Sequence, residues 1–219
     1  VGEAQRRAVD AAVALVGNGR LRASVVNAGV GEAGDFLAAP DDGDARRVVD
    51  IDLTAALNGI RLAAQAMGDG GGGAIVCVAS AAGFVPVPAA PVYAAAKAGL
   101  AHACRSLAPR LAARGVRLTA VCPQYIDTPL VSDLMGRANG AFARAMMGPL
   151  FGQPLLTPAE AARVIVSGLA PLSAEEVAGG KRAMGEAAAE QAAGGAGGQG
   201  GGGGSSGVLL LLQDGRVLD

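Results

Sequence analysis

The chain has 219 residues, 51% of them apolar, and its 18 Lys and Arg against 19 Asp and Glu leave a formal net charge of -1. That is the size of one α/β domain with ample apolar side chains for a core, which excludes wholesale disorder and gives no electrostatic case for nucleic acid or an anionic membrane. Apolar runs such as Val208 to Leu212 are far too short to cross a bilayer. Three cysteines (Cys77, Cys104, Cys122) without a CxxC or Cys/His pairing argue against a disulfide framework or a zinc site, and for a reducing, cytoplasmic compartment.

Residues 1–16 carry apolar side chains at helical spacing. Ala8, Ala11, Ala12 and Leu15 fall on one side and Glu3, Arg6, Arg7 and Asp10 on the other, with a glycine-rich stop at 17–19. The opening reads as the middle of a larger unit, so a fragment is expected. Ala23 to Val26 is a short β-branched run, expected as a buried strand ending in the turn Asn27-Ala28-Gly29. Asp41 to Asp44 are placed to cap a helix over 45–67, with a flexible glycine loop at 70–73 behind it. Ala74 to Val78 reads as a second buried strand ending at Ser80. A proline-rich loop (Pro86, Pro88, Pro91) then leads into an alanine-rich helix over 92–113, which Pro109 is expected to kink. Val116 to Val121 is a third strand, closed by Cys122 and Pro123. Further on, Thr157, Pro158 and Glu160 form a capping box that launches a helix to about Leu169. Residues 192–207 are almost all Gly, Ala, Ser and Gln, the composition of a disordered linker inserted in a single domain spanning 1–219, before a last strand at 208–212.

Helix and strand alternate with connections too long for hairpins, which predicts right-handed crossovers, a parallel sheet and helices on both faces: an α/β, doubly wound fold. In such sheets ligands bind at the carboxyl ends of the strands. Ser80 stands at one of those ends. Tyr93 and Lys97, four residues apart, share a face at the start of the following helix. A phenol, ordinarily titrating near pH 10, becomes a usable acid or base when a nearby ammonium steadies its anion, and a serine hydroxyl can hydrogen-bond the oxygen that becomes a carbonyl. A bland reading of each residue, as a helix cap or a chance pair, stands beside this one.

The stretch from Ala74 through Ser80, Tyr93 and Lys97 resembles the short-chain dehydrogenase/reductase family, in which a Ser precedes the Tyr of a Tyr-x-x-x-Lys motif by thirteen residues, as here. Asn27-Ala28-Gly29 is similar to the family's Asn-Ala-Gly turn, and Pro123 through Thr128 to its segment beside the nicotinamide. The 115–123 stretch and the late 208–215 segment are similar to the NAD-dependent hydroxyprostaglandin dehydrogenase type. The resemblance implies a Rossmann-like sheet truncated at the N-terminus, and hydride transfer between NAD or NADP (NAD slightly preferred) and a secondary alcohol or ketone. It implies Tyr93 as acid/base, Ser80 orienting the carbonyl oxygen, and Lys97 lowering the Tyr93 pKa while touching the nicotinamide ribose. Asn27, Ala28, Gly29, Pro123, Ile126 and Thr128 would line the cofactor. A homodimer is implied through the 45–67 and 92–113 helices, whose Ala55, Ala56, Ala63, Ala64, Ala98, Ala101 and Ala103 would allow close approach.

The departures are as specific. The family's glycine fingerprint, which brings backbone close to a pyrophosphate at a helix N-terminus, is absent from this sequence, so activity is expected only when a nucleotide-binding part is supplied. Asp52 stands where the family has an Asn that holds a proton-relay water, and is either an altered relay residue or a turn cap. Gln124 replaces a Gly, and Ala90 occupies the position of a substrate-contacting Gln. His102 reads as a surface or interface residue, Arg46, Arg47, Arg105 and Arg110 as solvated helix faces, and Phe142, Met146, Met147 and Phe151 as either a substrate lid or core. The rival to an enzyme is a catalytically silent binding or interaction subunit that kept the fold.

Overall fold

The β-branched and small apolar runs lie side by side in one sheet. The structure, a computed structural model, describes residues 2–15, 20–68, 72–137, 155–169, 208–211 and 217–218, with isolated helical positions at 175, 178 and 182. Strands β1 (Ala23–Val26), β2 (Gly73–Val78), β3 (Val116–Pro123) and β4 (Val208–Leu211) are parallel neighbours in that order, and β5 (Val217–Leu218) closes the row antiparallel to β4. Alternation along the strands divides the core. Ile75 and Cys77 of β2 and Val116, Leu118, Ala120 and Cys122 of β3 meet one helical layer. Opposite them, Val76 and Thr119 meet the turn at Gly168, where a Cβ would stand 2.9 Å from the Val76 side chain. The α/β fold with helices on both faces of a parallel sheet follows.

The first layer is built from two helical runs. The earlier comprises α2 (Gly43–Val49), a π-helical turn (Asp50–Ala55) and α3 (Ala56–Met67); the later is α4 (Pro91–Ala112). Ile60, Ala63 and Met67 interlock with Leu100, Ala101 and Cys104 over the sheet. Full burial of a side chain such as Ile60 or Leu100 contributes roughly 1.5–3 kcal/mol. The alanines expected to admit a second subunit are mostly consumed here. Ala55, Ala56, Ala63, Ala64 and Ala101 are buried within the chain itself, because the sheet lies on their side of the helices.

Other expectations are corrected by what each element packs against. β1 is not buried: Val25 is 44% exposed, since β2 is its one strand neighbour among the described residues. In α1 (Gly2–Leu15) the half-buried side is Gln5, Val9, Ala12 and Val13, whereas Leu15 is 87% exposed. The stripe is rotated because Gln5 anchors the helix, donating to the Ala55 carbonyl at 2.8 Å and accepting from Asn58 at 2.7 Å. Asp42, at the N-cap of α2, makes no side-chain cap; it pairs instead with Arg46 at 2.7 Å. Gly73 belongs to β2 rather than to a loop, β3 runs two residues past Val121, and α4 starts one residue earlier, at Pro91, and ends at Ala112.

Helix α5 (Pro129–Arg137) follows β3, and α6 (Pro158–Ser167) opens with the expected capping box: Glu160 N–H donates to Thr157 Oγ1 at 3.2 Å, and Thr157 N–H to Glu160 Oε2 at 2.7 Å. The predicted stop at 17–19, the linker at 192–207 and the Phe and Met residues at 142–151 lie outside the described residues. No helix among the described residues is long and apolar enough to cross a membrane.

Candidate active site

Because β1, β2 and β3 are parallel, their carboxyl ends open on one side of the sheet. There the chain leaves β1 at Asn27–Gly29, β2 at Ser80 and β3 at Tyr125–Thr128. Asn27, Ala28 and Gly29 lie exposed. Ser80 takes an extended conformation, and its Oγ accepts the Ala82 N–H at 3.1 Å, capping a single 3₁₀ turn, Ala81–Gly83. The cap and the catalytic reading of Ser80 therefore coexist, since a hydroxyl accepts twice and still donates once. Ser80 also lies close enough to Tyr93 to draw the phenol's pKa down.

Tyr93 and Lys97 share one side of α4 as their spacing predicts. Lys97 Nζ lies 5.5 Å from the centre of the Tyr93 ring and donates to the Val78 carbonyl at 3.1 Å. Behind it stands Asp52, fully buried on the π-helical turn, with Oδ2 3.7 Å from Lys97 Nζ. That is an ion pair but too long for a hydrogen bond. Asp52 Oδ1 accepts the Val30 N–H at 2.7 Å, and Oδ2 has no hydrogen-bond partner among the described residues. A π turn widens a helix by one residue and is found often at functional sites. Here it carries Asp52 towards the sheet end.

Burial dominates the titration of all three groups. It pushes the Asp52 carboxyl up, against the pull of Lys97, the Val30 amide and Arg47. It brings the Lys97 ammonium down, against the Asp52 carboxylate. It raises the Tyr93 phenol, which the hydrogen bond with Ser80 draws down and the Asp52 charge raises further. The expected lowering of Tyr93 by Lys97 is thus not what governs the phenol here, because burial is the largest influence on it. The thiols beneath are also held neutral: Cys122 is pushed up to about 12 by burial, and Cys77 rises through a hydrogen bond with Cys104 and burial.

The loop after β1 is fastened at four points. Val30 is held by Asp52, and the Gly31 carbonyl accepts from Arg47 at 2.7 Å. Ala33 N–H donates to Asp44 at 2.6 Å, and Glu32 reaches α4. Arg47 is therefore a fastening of this loop as well as a helix-face residue. Gly29 lies close against the pair of Lys97 and Asp52: a Cβ there would stand 3.0 Å from Lys97 Nζ and 3.4 Å from Asp52 Oδ1. Thr128 Oγ1 donates to the Ile126 carbonyl at 3.2 Å, and Pro123 is buried at the end of β3. Ile126 packs with Leu156, Ala161 and Val164 and bridges to Leu156, so its side chain serves an apolar cluster.

Two residues of the site escaped the sequence reading. Glu32 is buried at the N-terminus of α4. Gly83 lies against the α4 backbone, where a Cβ would stand 2.8 Å from the Ala98 nitrogen and 3.0 Å from the Lys97 carbonyl carbon. A glycine three residues past a strand-end serine was a usable signal for Gly83; nothing local marks Glu32.

The family model for short chain dehydrogenase matches residues 2–138. The chain belongs to the short-chain dehydrogenase family. Its sequence is 42% identical over 125 residues to a cis-4-hydroxycyclohexanecarboxylate dehydrogenase of Sinomonas cyclohexanicum, covering 57% of this chain and 50% of that protein. It is 32% identical over 137 residues to the 15-hydroxyprostaglandin dehydrogenase [NAD(+)] of Bos taurus, covering 60% and 48%. Among solved structures it resembles one described as an NAD(P) dependent gluconate 5-dehydrogenase from Beutenbergia cavernae, with NADP bound at low occupancy. The TM-score is 0.66, with 26% identity over 77% of this chain and 65% of that one. This short-chain dehydrogenase chain spans about half the length of the two relatives.

Proposed function

We propose that this chain carries the catalytic part of an NAD(P)-dependent oxidoreductase that interconverts a secondary alcohol and a ketone, working as a single domain with a nucleotide-binding half supplied. The observation that carries this reading is the meeting of Ser80, Tyr93 and Lys97 at the carboxyl ends of β1–β3, with Ser80 drawing the Tyr93 phenol's pKa down and the Lys97 ammonium 5.5 Å from its ring. A dinucleotide fits what lies beside them. The exposed Asn27–Gly29 segment leaves room next to Lys97 that a Cβ at Gly29 would fill. Asn27, Ala28, Gly29, Tyr93, Lys97, Pro123, Ile126 and Thr128 would hold it, with NAD slightly preferred over NADP; Ile126 would do so through its backbone. When bound, the dinucleotide supplies the hydride acceptor or donor and, oxidised, a positive charge near the phenol.

The chain's own residues move the proton. With its pKa raised, Tyr93 keeps its proton at neutral pH and is set to donate it to a ketone oxygen. For alcohol oxidation the phenolate must form, which needs added positive charge nearby. Ser80 donates its hydrogen to the substrate oxygen and holds it against Tyr93. Lys97 is fixed by Val78 and Asp52, so its charge stays in place through the cycle. A homodimer of the whole protein belongs to the same proposal, through the outward sides of α3 and α4.

The test is oxidation of a panel of cyclic and acyclic secondary alcohols by the whole protein, followed through the absorbance of the reduced nicotinamide. Tyr93→Phe keeps the ring and removes the proton donor, so turnover should fall by about 10²–10⁴ with cofactor affinity nearly unchanged. Turnover undiminished in Tyr93→Phe refutes the mechanism. Cofactor binding without turnover on any substrate favours the silent-subunit alternative.

A further inference from the structure

Helix α4 begins without a cap of its own: Ala90 at its N-cap has no side-chain oxygen. The first-turn amides can nevertheless be accounted for one by one. Pro91 has none to satisfy. Ala94 N–H donates to the Ala90 carbonyl at 3.0 Å. The remaining two, Val92 and Tyr93, donate to one carboxylate brought from sixty residues earlier: Val92 N–H to Glu32 Oε1 at 3.2 Å and Tyr93 N–H to Glu32 Oε2 at 3.1 Å. Glu32 is 5% exposed. Hydrogen bonds from backbone N–H to a carboxylate at a helix start are charge-assisted, and the negative group also suits the positive end of the helix.

We propose that Glu32 is the positioning residue for Tyr93. By gripping consecutive amides with its two oxygens it fixes the first turn of α4 both along the helix axis and in rotation. One of those amides is Tyr93's own. The same residue sits in the loop that Asp52, Arg47 and Asp44 fasten after β1. The Asn27–Gly29 segment and the acid/base phenol are therefore held to one another through a single side chain. Glu32 acts through the backbone of Tyr93 and touches no reacting atom. Its catalytic meaning rests on the hydride-transfer reading; the grip itself does not.

The chain contains two tyrosines and no tryptophan, so Tyr125→Phe leaves Tyr93 as the sole phenol whose ionisation can be followed by ultraviolet absorbance. In that background, Glu32→Ala and Glu32→Gln are compared by amide hydrogen exchange, phenol titration and thermal melting. Glu32→Ala should speed exchange at Val92 and Tyr93 by about tenfold or more. It should also bring the phenol down towards its ordinary value, because burial is the chief cause of its rise. The groups facing the phenol, Ser80, Asp52 and Lys97, are untouched by the substitution. Glu32→Gln, with one acceptor oxygen in place of two, should loosen one amide and keep the other.

A side chain that merely adds stability would lower the melting temperature and leave the folded-state titration where it was. Unchanged exchange at both amides with an unmoved titration in Glu32→Ala overturns the proposal, and the same result in Glu32→Gln overturns it should the alanine variant fail to fold. In the whole protein, kcat in either variant should fall about tenfold with KM for the cofactor held. A wild type without turnover counts against the hydride-transfer reading alone, since the exchange and titration need no substrate.

Discussion

Replacing Gly83 by alanine tests how the site is assembled more directly than removing a reacting group. The backbone there does not have a positive φ, so alanine is not strained by conformation, and the effect is steric alone. Its Cβ would stand 2.8 Å from the Ala98 nitrogen and 3.0 Å from both the Ala98 Cα and the Lys97 carbonyl carbon. These are backbone atoms in the middle of a 22-residue helix, which cannot turn aside as a flexible side chain would. Reaching an ordinary contact of 3.4 Å requires an opening of about 0.6 Å between the Ala81–Gly83 turn and α4. Overpacking of this kind costs about 1–3 kcal/mol. For a chain of this size that is a fall in melting temperature of roughly 2–12 °C. The same opening separates Ser80, which caps that turn, from Tyr93 and Lys97 on the helix. A misplacement of about 1 Å can cost roughly 10²-fold, so a loss in kcat on the order of tenfold is expected, with cofactor affinity preserved. Calorimetry of the chain and steady-state kinetics of the whole protein measure the two effects. A Gly83→Ala protein with wild-type melting and wild-type kcat would refute the claim that close contact between turn and helix sets the site.

Asp52→Asn keeps an oxygen for the Val30 N–H and removes the buried charge. The Asp52 pKa is raised in the fold, so its stabilising contribution is present below 3.8 and lost as pH rises through the folded value. The variant should lack that loss, giving a flatter stability profile just above pH 3.8. It should also show a phenol that ionises at lower pH, because a charge raising Tyr93 is gone; an unmoved or higher phenol titration in the Tyr125→Phe background would contradict this. Thr157→Ala breaks the capping box of α6 and should cost about 1 kcal/mol in a denaturant titration, with no change in Tyr93, since α6 lies across the sheet from α4.

The sequence carried those parts of the site that depend on local spacing. Tyr93 and Lys97 share a side of α4 because four residues make about one helical turn. Ser80 was found because a run of β-branched and small residues ends just before it. The strands of the sheet were legible for the same reason, and so was the capping box at Thr157. What escaped depends on neighbours distant in the chain. The exposure of β1 follows from how many strands flank it, not from Ala23 to Val26 themselves. The orientation of α1 is set by a polar residue, Gln5, that finds a carbonyl acceptor and an amide donor some fifty residues away. The pairing of Lys97 with Asp52 alters the expected electrostatics of Tyr93 across 45 residues of sequence, and Glu32 contacts α4 across sixty. Hydrophobic periodicity encodes none of these, because each is decided by neighbours distant in the chain rather than by local spacing.

The π-helical turn at Asp50–Ala55 has a bearing on how such a chain can change by insertion and deletion. One residue more than an α-turn needs is housed there, so the segments before and after it belong to two α-helical frames offset by about 100°. Loss of one codon within the turn would let the helix run on as continuous α, with its backbone hydrogen bonds regular and its core residues on α3 undisturbed. The residue left nearest the sheet end would then be swung away from Lys97. A deletion that looks benign by every measure of helix quality would thus erase the buried carboxylate from the site.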